Sequence, residues 1–525
     1  MIAWLALSVV AAIAAGYWST NPRKRRLRGR RVLSAREAGR RGRSALGQEG
    51  GSGIEWGGHP LPAGSETNHF FVVGTTGSGK TLTISSIMKK ALLEVGVIPD
   101  RRALVYDAKR DVVSFLSGLR LTCPIQILNP FDERSSAWEM GKDVTAPATA
   151  LQVAMALIPT ESGSNRFFSD AARDLVTGIQ ISFIRSCSDA WTFRDVVLAA
   201  TNRDRLRLVL ERSQEGQDLL EGYFVEERTL NNIVSTLRAR LAPLEPVAAL
   251  WQRSKYRISL REWTEGESIL VLGNDESVRG AIDSINRVIF KRLTELVLAR
   301  SESDERRTWF FLDEVREAGK LDGLSSLLLR GRSKGACVVL GFQDLEGMRQ
   351  VYGNHGANEI LGMCSHKAIL RLESPETAEW AARLLGEYEE VELLRGLNTT
   401  GPLGRRNRTQ SEHRVRAHAV MPSELLTLPP ASPRSGLFGY YLTPSIGAFR
   451  VNHRAEDVET WKVPKEHRST MDLVPRFDSD QYLERWNRTD LGRLGLSVEI
   501  ELCGGEHGER PERRKRIRLA KRSWR

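Results

Sequence analysis

Apolar residues fall into three patterns along this chain, and each pattern predicts a different kind of element. The first is a single uninterrupted run. Met1–Trp18 carries no charged side chain, at the short end of the roughly 17–25 residues that span a bilayer. Trp4, Tyr17 and Trp18 stand where interfacial aromatics belong, and RKRRLRGRR follows. This order predicts one membrane helix with the body on the cytoplasmic side. A cleaved leader is the alternative, but no basic residue precedes the run and a dense basic cluster follows it.

The second pattern starts at Asn68, where apolar runs of strand length alternate with amphipathic helical stretches, as a parallel α/β sheet requires. HFFVVG reads as a buried strand and Lys80–Leu93 as a helix; ALVYD (103–107) and PIQILNP (124–130) follow as strands. Strands resume with SILVLG (268–273), TWFFLDE (308–314), ACVVLGFQ (336–343) and KAILRLE (367–373). Between them lies the third pattern. Residues 145–262 are helical in period, rich in Ala, Leu and Arg, and without convincing strands. The expected organisation is a membrane anchor (1–18), a basic then Gly-rich flexible stalk (19–64), a nucleotide-binding domain in two parts (65–144 and 263–465) around an all-α insertion (145–262), and a C-terminal extension with a basic tail (466–525).

Charge changes this picture in one respect. The net charge is +12, but residues 23–43 carry +10 and residues 510–525 carry +8, leaving the remainder at −6. The folded body is mildly acidic, so any nucleic-acid contact there depends on local grouping. The basic run after Trp18 suits anionic lipid. The five cysteines have no metal-ligand spacing and form no disulfide framework, which suits a reducing compartment.

The candidate chemistry begins at Gly74-Thr75-Thr76-Gly77-Ser78-Gly79-Lys80-Thr81, a complete G-x-x-x-x-G-K-[ST] between a strand and a helix. Glycines let backbone N–H groups turn toward phosphate oxygens, and the helix N-terminus adds favourable partial charge. Lys80 is placed for the β- and γ-phosphates of ATP and Thr81 for Mg²⁺. WFFLDE supplies the complementary acidic strand end: Asp313 to hold Mg²⁺ and Glu314 to polarise the attacking water. The 232 residues between Lys80 and Asp313 exceed one βαβ core, which again implies an insertion. Gln343 ends a strand expected beside that of Asp313, where its amide can sense the γ-phosphate. Arg332 precedes that strand as a candidate arginine finger, with Arg330 and Lys334 as rivals.

The set HFFVVGTTGSGKT, ALVYDAKRD, ILNPFDERSSAW, FFLDE, LLLRGRSKGACVVLGFQDLEGMRQVYG and SHKAILRLESPETAEWAARLLGE resembles the type IV secretion coupling proteins of the TraD/TrwB kind over roughly 61–428. The resemblance implies an α/β, RecA-like P-loop nucleotide-binding domain with an inserted all-α domain. It implies a homohexamer on the bacterial inner membrane that pumps single-stranded DNA with ATP and Mg²⁺. It further implies a relaxase–DNA substrate, a type IV secretion channel as partner, and Arg332 acting across the subunit interface. Members commonly carry two membrane helices around a periplasmic domain, whereas one anchor is expected here. Arg110 stands where the family often has glycine. Two alternatives are a double-stranded DNA translocase of the FtsK/HerA sort and a membrane scaffold that recruits protein cargo. On the leading reading, a fragment from about residue 44 hydrolyses ATP faster when single-stranded DNA is present.

Overall fold

A computed structural model describes residues 24–159, 166–400, 405–463 and 473–496. The apolar run Met1–Trp18, the basic tail from 510 and Cys503 lie outside the described residues. Among those described, no helix is long and apolar enough to cross a membrane.

In chain order the strands are Lys24–Gly29 (β1), Gly51–Trp56 (β2), His59–Pro62 (β3), Phe70–Val73 (β4), Arg101–Asp107 (β5), Ile125–Leu128 (β6), Ser136–Trp138 (β7) and Tyr256–Ile258 (β8). Then come Ile269–Gly273 (β9), Arg307–Leu312 (β10), Ala336–Phe342 (β11), His366–Ile369 (β12), Glu387–Thr400 (β13), Arg405–His418 (β14), Leu437–Thr443 (β15) and Gly447–His453 (β16). The chain divides into two compact units, one of 1–87, 341–350 and 364–462, the other of 88–340, 351–363 and 463–525.

In the first unit β4 pairs in parallel with β12, and β12, β15 and β16 continue antiparallel, a mixed arrangement. β4 (FFVV) is buried throughout, as its unbroken apolar run requires. The stretch expected to be a flexible stalk is folded, which corrects that expectation. Ser34 and Glu37 form a capping box that starts the helix Ala35–Glu49. Leu33 just before it exchanges backbone hydrogen bonds with Ala448 and Arg450 of β16 at 2.8 and 3.2 Å. The hairpin β2–β3 buries Trp56, whose ring meets Phe70 and Tyr441 edge-on at 5.2 and 5.3 Å. The glycines there are turn and hairpin residues. A fragment cut at residue 44 would sever this helix and discard β1, so the soluble fragment has to begin before Lys24.

In the second unit β11, β10, β5, β9 and β6 lie side by side, all parallel. β10 and β11 are buried along their whole length, which is why they read as continuous apolar runs rather than alternating ones. The stretch 145–262 is helical, as the sequence predicts, around the 22-residue helix Arg166–Cys187. One strand was not expected: β8 pairs in parallel with β7 at the base of these helices. The same base is locked by Asp143. Its fully buried carboxylate accepts hydrogen bonds from Trp138 Nε1 (2.7 Å), Ser259 Oγ (2.8 Å) and the backbone of Leu260 and Arg261 (2.7 and 2.9 Å). A buried charge with this many donors is satisfied in place.

The segment 473–496, where the sequence pattern thins out, straps onto the helices of this unit. Trp486 Nε1 donates to Asp195 at 2.8 Å, and Arg493 forks onto the same carboxylate at 2.9 and 3.0 Å. These contacts are ionic and single, so no apolar period betrays them.

Candidate phosphate loop and acidic strand ends

β4 delivers the chain to Gly74, and the helix Lys80–Leu93 takes it away. The loop between is fixed by its own unit. Gly74 N donates to Phe342 O at 3.2 Å, Thr75 N to Arg371 O at 2.9 Å, and Gly77 O accepts from Ala431 N at 3.0 Å. Glycine is required here on two grounds. Gly77 and Gly79 have φ of 76 and 95, a region that favours residues without a Cβ. A Cβ on Gly74 would stand 2.4 Å from Ser78 Oγ, and one on Gly79 2.3 Å from Leu437 Cδ1.

The polar groups of the loop fit a phosphate. Ser78 Oγ is buried and has no hydrogen-bond partner among the described residues, which native structures seldom leave unexplained. Lys80 is 6% exposed at the first turn of its helix, where backbone N–H groups have no intrahelical acceptor. Thr76 and Gly77 are exposed, so the loop opens to solvent. Gln343 follows Phe342 and is thereby brought beside the entry to the loop, as expected.

The acidic strand ends belong to the second unit. In the register of β10 against β5, Leu312 stands opposite Tyr106, so Asp313 and Asp107 leave neighbouring strands at the same edge. Asp313 is half-buried and Glu314 is 5% exposed. Asp313 Oδ2 receives Lys109 Nζ at 3.1 Å. The strand of Gln343 does lie beside that of Asp313, with Leu312 opposite Leu340.

Arg332 is placed otherwise. It lies in the exposed 3₁₀ turn Arg332–Lys334 that enters β11 at its N-terminal end, whereas Asp313 leaves β10 at the C-terminal end. The length of the strand, about 3.3 Å per residue, separates Arg332 from Asp313 of its own chain. Of the rivals, Arg330 is exposed and Lys334 pairs with Glu302 at 3.6 Å.

The turn after β5 was legible only as an anomaly. Arg110, standing where the family often has glycine, has φ 60, a left-handed conformation that glycine adopts without strain. Asp107, next to it, carries a legible electrostatic cost. Burial, then Asp111, push its carboxyl up to about 6, against the pull of hydrogen bonds from the backbone of Val112, Asp111 and Arg110. A carboxyl raised in the folded state adds stability below its unfolded pKa and loses it as pH rises through about 6. Asp107→Asn keeps an acceptor for the Asp111 and Val112 N–H groups. Its expected effect is a melting temperature a few degrees higher at pH 8, on the order of 1–3 kcal/mol, with no gain at pH 4. Thermal melts at both pH values check this; an equal shift at both would refute the charge explanation.

A family model described as the type IV secretion-system coupling protein DNA-binding domain matches residues 53–438. The chain is 24% identical over 349 residues to coupling protein TraD of Escherichia coli (strain K12), covering 65% of this chain and 47% of that protein. It is 27% identical over 171 residues to the conjugal transfer protein TraG of Rhizobium radiobacter, covering 32% of this chain and 26% of TraG. The chain therefore spans about half or less of the length of these curated relatives. Among solved structures, the unbound conjugative coupling protein TrwBdeltaN70 superposes with a TM-score of 0.66 at 22% identity, over 86% of this chain and 97% of that one. Plasmid coupling protein TrwB in complex with ADP and Mg²⁺ gives 0.63 at 22% identity, over 82% and 95%. At such identity the likeness is one of fold: an α/β architecture with a large mixed sheet.

Proposed function

The chain belongs to the type IV secretion-system coupling proteins, and from that premise we propose that it is an ATP-hydrolysing motor subunit that moves single-stranded DNA in conjugation. The observation that carries the catalytic part is the loop Gly74–Thr81, with its buried, unpartnered Ser78 Oγ and its helix-start lysine. In this reading the backbone of Gly74, Thr75, Thr76, Gly77, Ser78 and Gly79 cradles the phosphates. Lys80 binds the terminal phosphates, and Thr81 with Asp313 holds Mg²⁺. The cation supplies charge neutralisation at the phosphates. Glu314 polarises the attacking water, Gln343 reports the γ-phosphate, and Arg332 serves the nucleotide of a neighbouring subunit. TrwB, a relative in fold, is described in complex with ADP and Mg²⁺, which supports this choice of ligands.

The finer architecture of the proposal is a RecA-like core with an all-α insertion, assembled as a homohexamer. Met1–Trp18 would be its single anchor in a bacterial inner membrane, with the bulk cytoplasmic. A relaxase–DNA complex would be the substrate and a type IV secretion channel the outlet. The apolar run and the basic cluster after it support the anchor. The mildly acidic body favours a backbone-gripping channel over a broad basic surface.

The test is turnover of the full chain with and without single-stranded DNA. Hydrolysis is expected to rise severalfold with single-stranded DNA, with little dependence on its sequence, and the stimulation should fade steeply between 50 and 200 mM salt, on the counterion-release argument. Stimulation by duplex alone would favour the double-stranded translocase, and turnover indifferent to both would favour the protein-recruiting scaffold.

A further inference from the structure

The turn that follows β5 is built at a cost. Arg110 holds φ 60, about 1–2 kcal/mol worse for a residue with a Cβ than the right-handed alternative. Strain of this kind persists where the surroundings over-determine it. Here Asp107 Oδ1 accepts from the backbone of Asp111 at 3.1 Å and Val112 at 3.3 Å, closing the turn. Arg110 itself faces Asp275, beyond the end of β9, at 3.6 Å.

What the turn delivers is Lys109. β5 and β10 are neighbours in parallel register, and the tight turn carries the Lys109 side chain across to the end of β10, where Nζ meets Asp313 Oδ2 at 3.1 Å. The two side chains differ in freedom: Lys109 is 47% exposed and Asp313 17%. Burial works against the charge on Lys109, but Asp313, and beyond it Asp111 and Glu314, outweigh that and push its pKa above the usual lysine value. An ammonium on a flexible four-carbon stem is a point charge that can leave for solvent at small cost. A carboxylate fixed at a strand end cannot.

We propose that Lys109 is a positioning residue acting through Asp313: it neutralises that carboxylate when no divalent cation is bound and releases it when one is, so that lysine and cation compete for the same oxygen atoms. The inference rests on the assignment of Asp313 as the ligand of the nucleotide's cation. It gives the strained Asp107–Arg110 turn a task, since a relaxed turn would not carry Lys109 to β10.

The experiment uses the full chain saturated with ADP, titrated with Mn²⁺ and read by electron paramagnetic resonance. Lys109→Met is expected to tighten Mn²⁺ binding about fivefold, the worth of a half-exposed ion pair. Lys109→Arg, which can hold the same carboxylate, should stay within about twofold of the parent. In an Asp313→Asn background the Lys109→Met change should have no effect, as a double-mutant cycle requires if the two act as a pair. Unchanged or weaker Mn²⁺ binding by Lys109→Met with ADP still bound overturns the proposal, as does an equal tightening in the Asp313→Asn background. A lower melting temperature with unaltered Mn²⁺ affinity would show a merely structural ion pair. Failure of the unaltered protein to bind ADP counts instead against the functional reading beneath it.

Discussion

Lys80→Ala is expected to lower ATP turnover by at least about a hundredfold while leaving the fold intact. The argument for the loss is electrostatic. Lys80 is nearly buried, and a fixed positive charge aimed at developing phosphate charge is worth far more in a water-poor site than in solution. Losing a single preorganised donor of this kind costs about 10²–10³ in rate in well-studied hydrolases. The argument for an intact fold is local. Position 80 is the first residue of the helix Lys80–Leu93, alanine is the best helix former, and the loop before it is held by the backbone bonds of Gly74, Thr75 and Gly77 rather than by the lysine side chain. The measurement is steady-state hydrolysis paired with a thermal melt. Turnover within a few-fold of the parent would falsify the motor reading. Glu314→Gln makes the useful contrast: it should keep nucleotide affinity and lose turnover, because it removes a base and not a phosphate contact.

How much of this was legible in the sequence depended on where the stabilising contacts come from. β4, the helix Lys80–Leu93, β10 and β11 were readable because each is buried by its own sheet, so burial shows as an unbroken apolar run. The neighbourhood of Asp313 and Gln343 followed from the same signal. β1 was not readable. Its sequence, KRRLRG, looks like solvated charge, yet it pairs with the acidic β13 more than 350 residues away, Arg26 opposite Glu390 and Arg28 opposite Glu389. Arg28 bonds Glu389 at 2.8 Å, and Arg26 lies 4.2 Å over the Tyr388 ring. Complementary charge across such a separation leaves no local period in either segment. The strap 473–496 was lost for the same reason, since Arg493 and Trp486 find Asp195 in an unrelated helix. At the site, the phosphate loop was fully legible as a motif. Lys109 was visible in Asp-x-Lys but had no role until the left-handed Arg110 showed where the turn sends it.

Arg332→Ala is expected to cut turnover about 10³-fold or more, and to be rescued by mixing with subunits that carry Lys80→Ala. The size follows from the worth of an arginine that meets the transferring phosphoryl group. The rescue follows from position. Arg332 enters β11 at the strand's N-terminal end and Asp313 leaves β10 at the other, with both strands running parallel, so Arg332 cannot serve the acidic strand end of its own chain. Exposure without a role would make its loss nearly silent, because exposed substitutions usually change stability by less than about 0.5 kcal/mol. A large effect therefore needs a second molecule to receive the guanidinium. In a mixed ring, a Lys80→Ala subunit still offers its Arg332, and an Arg332→Ala subunit still offers an intact phosphate loop, so some interfaces regain both halves. Turnover should rise above the sum of the two inactive preparations and peak at an intermediate ratio. No rescue at any ratio, with both variants shown to co-assemble, would remove Arg332 from the catalytic set. Full activity of Arg332→Ala alone would turn attention to Arg330, the other exposed arginine beside that turn.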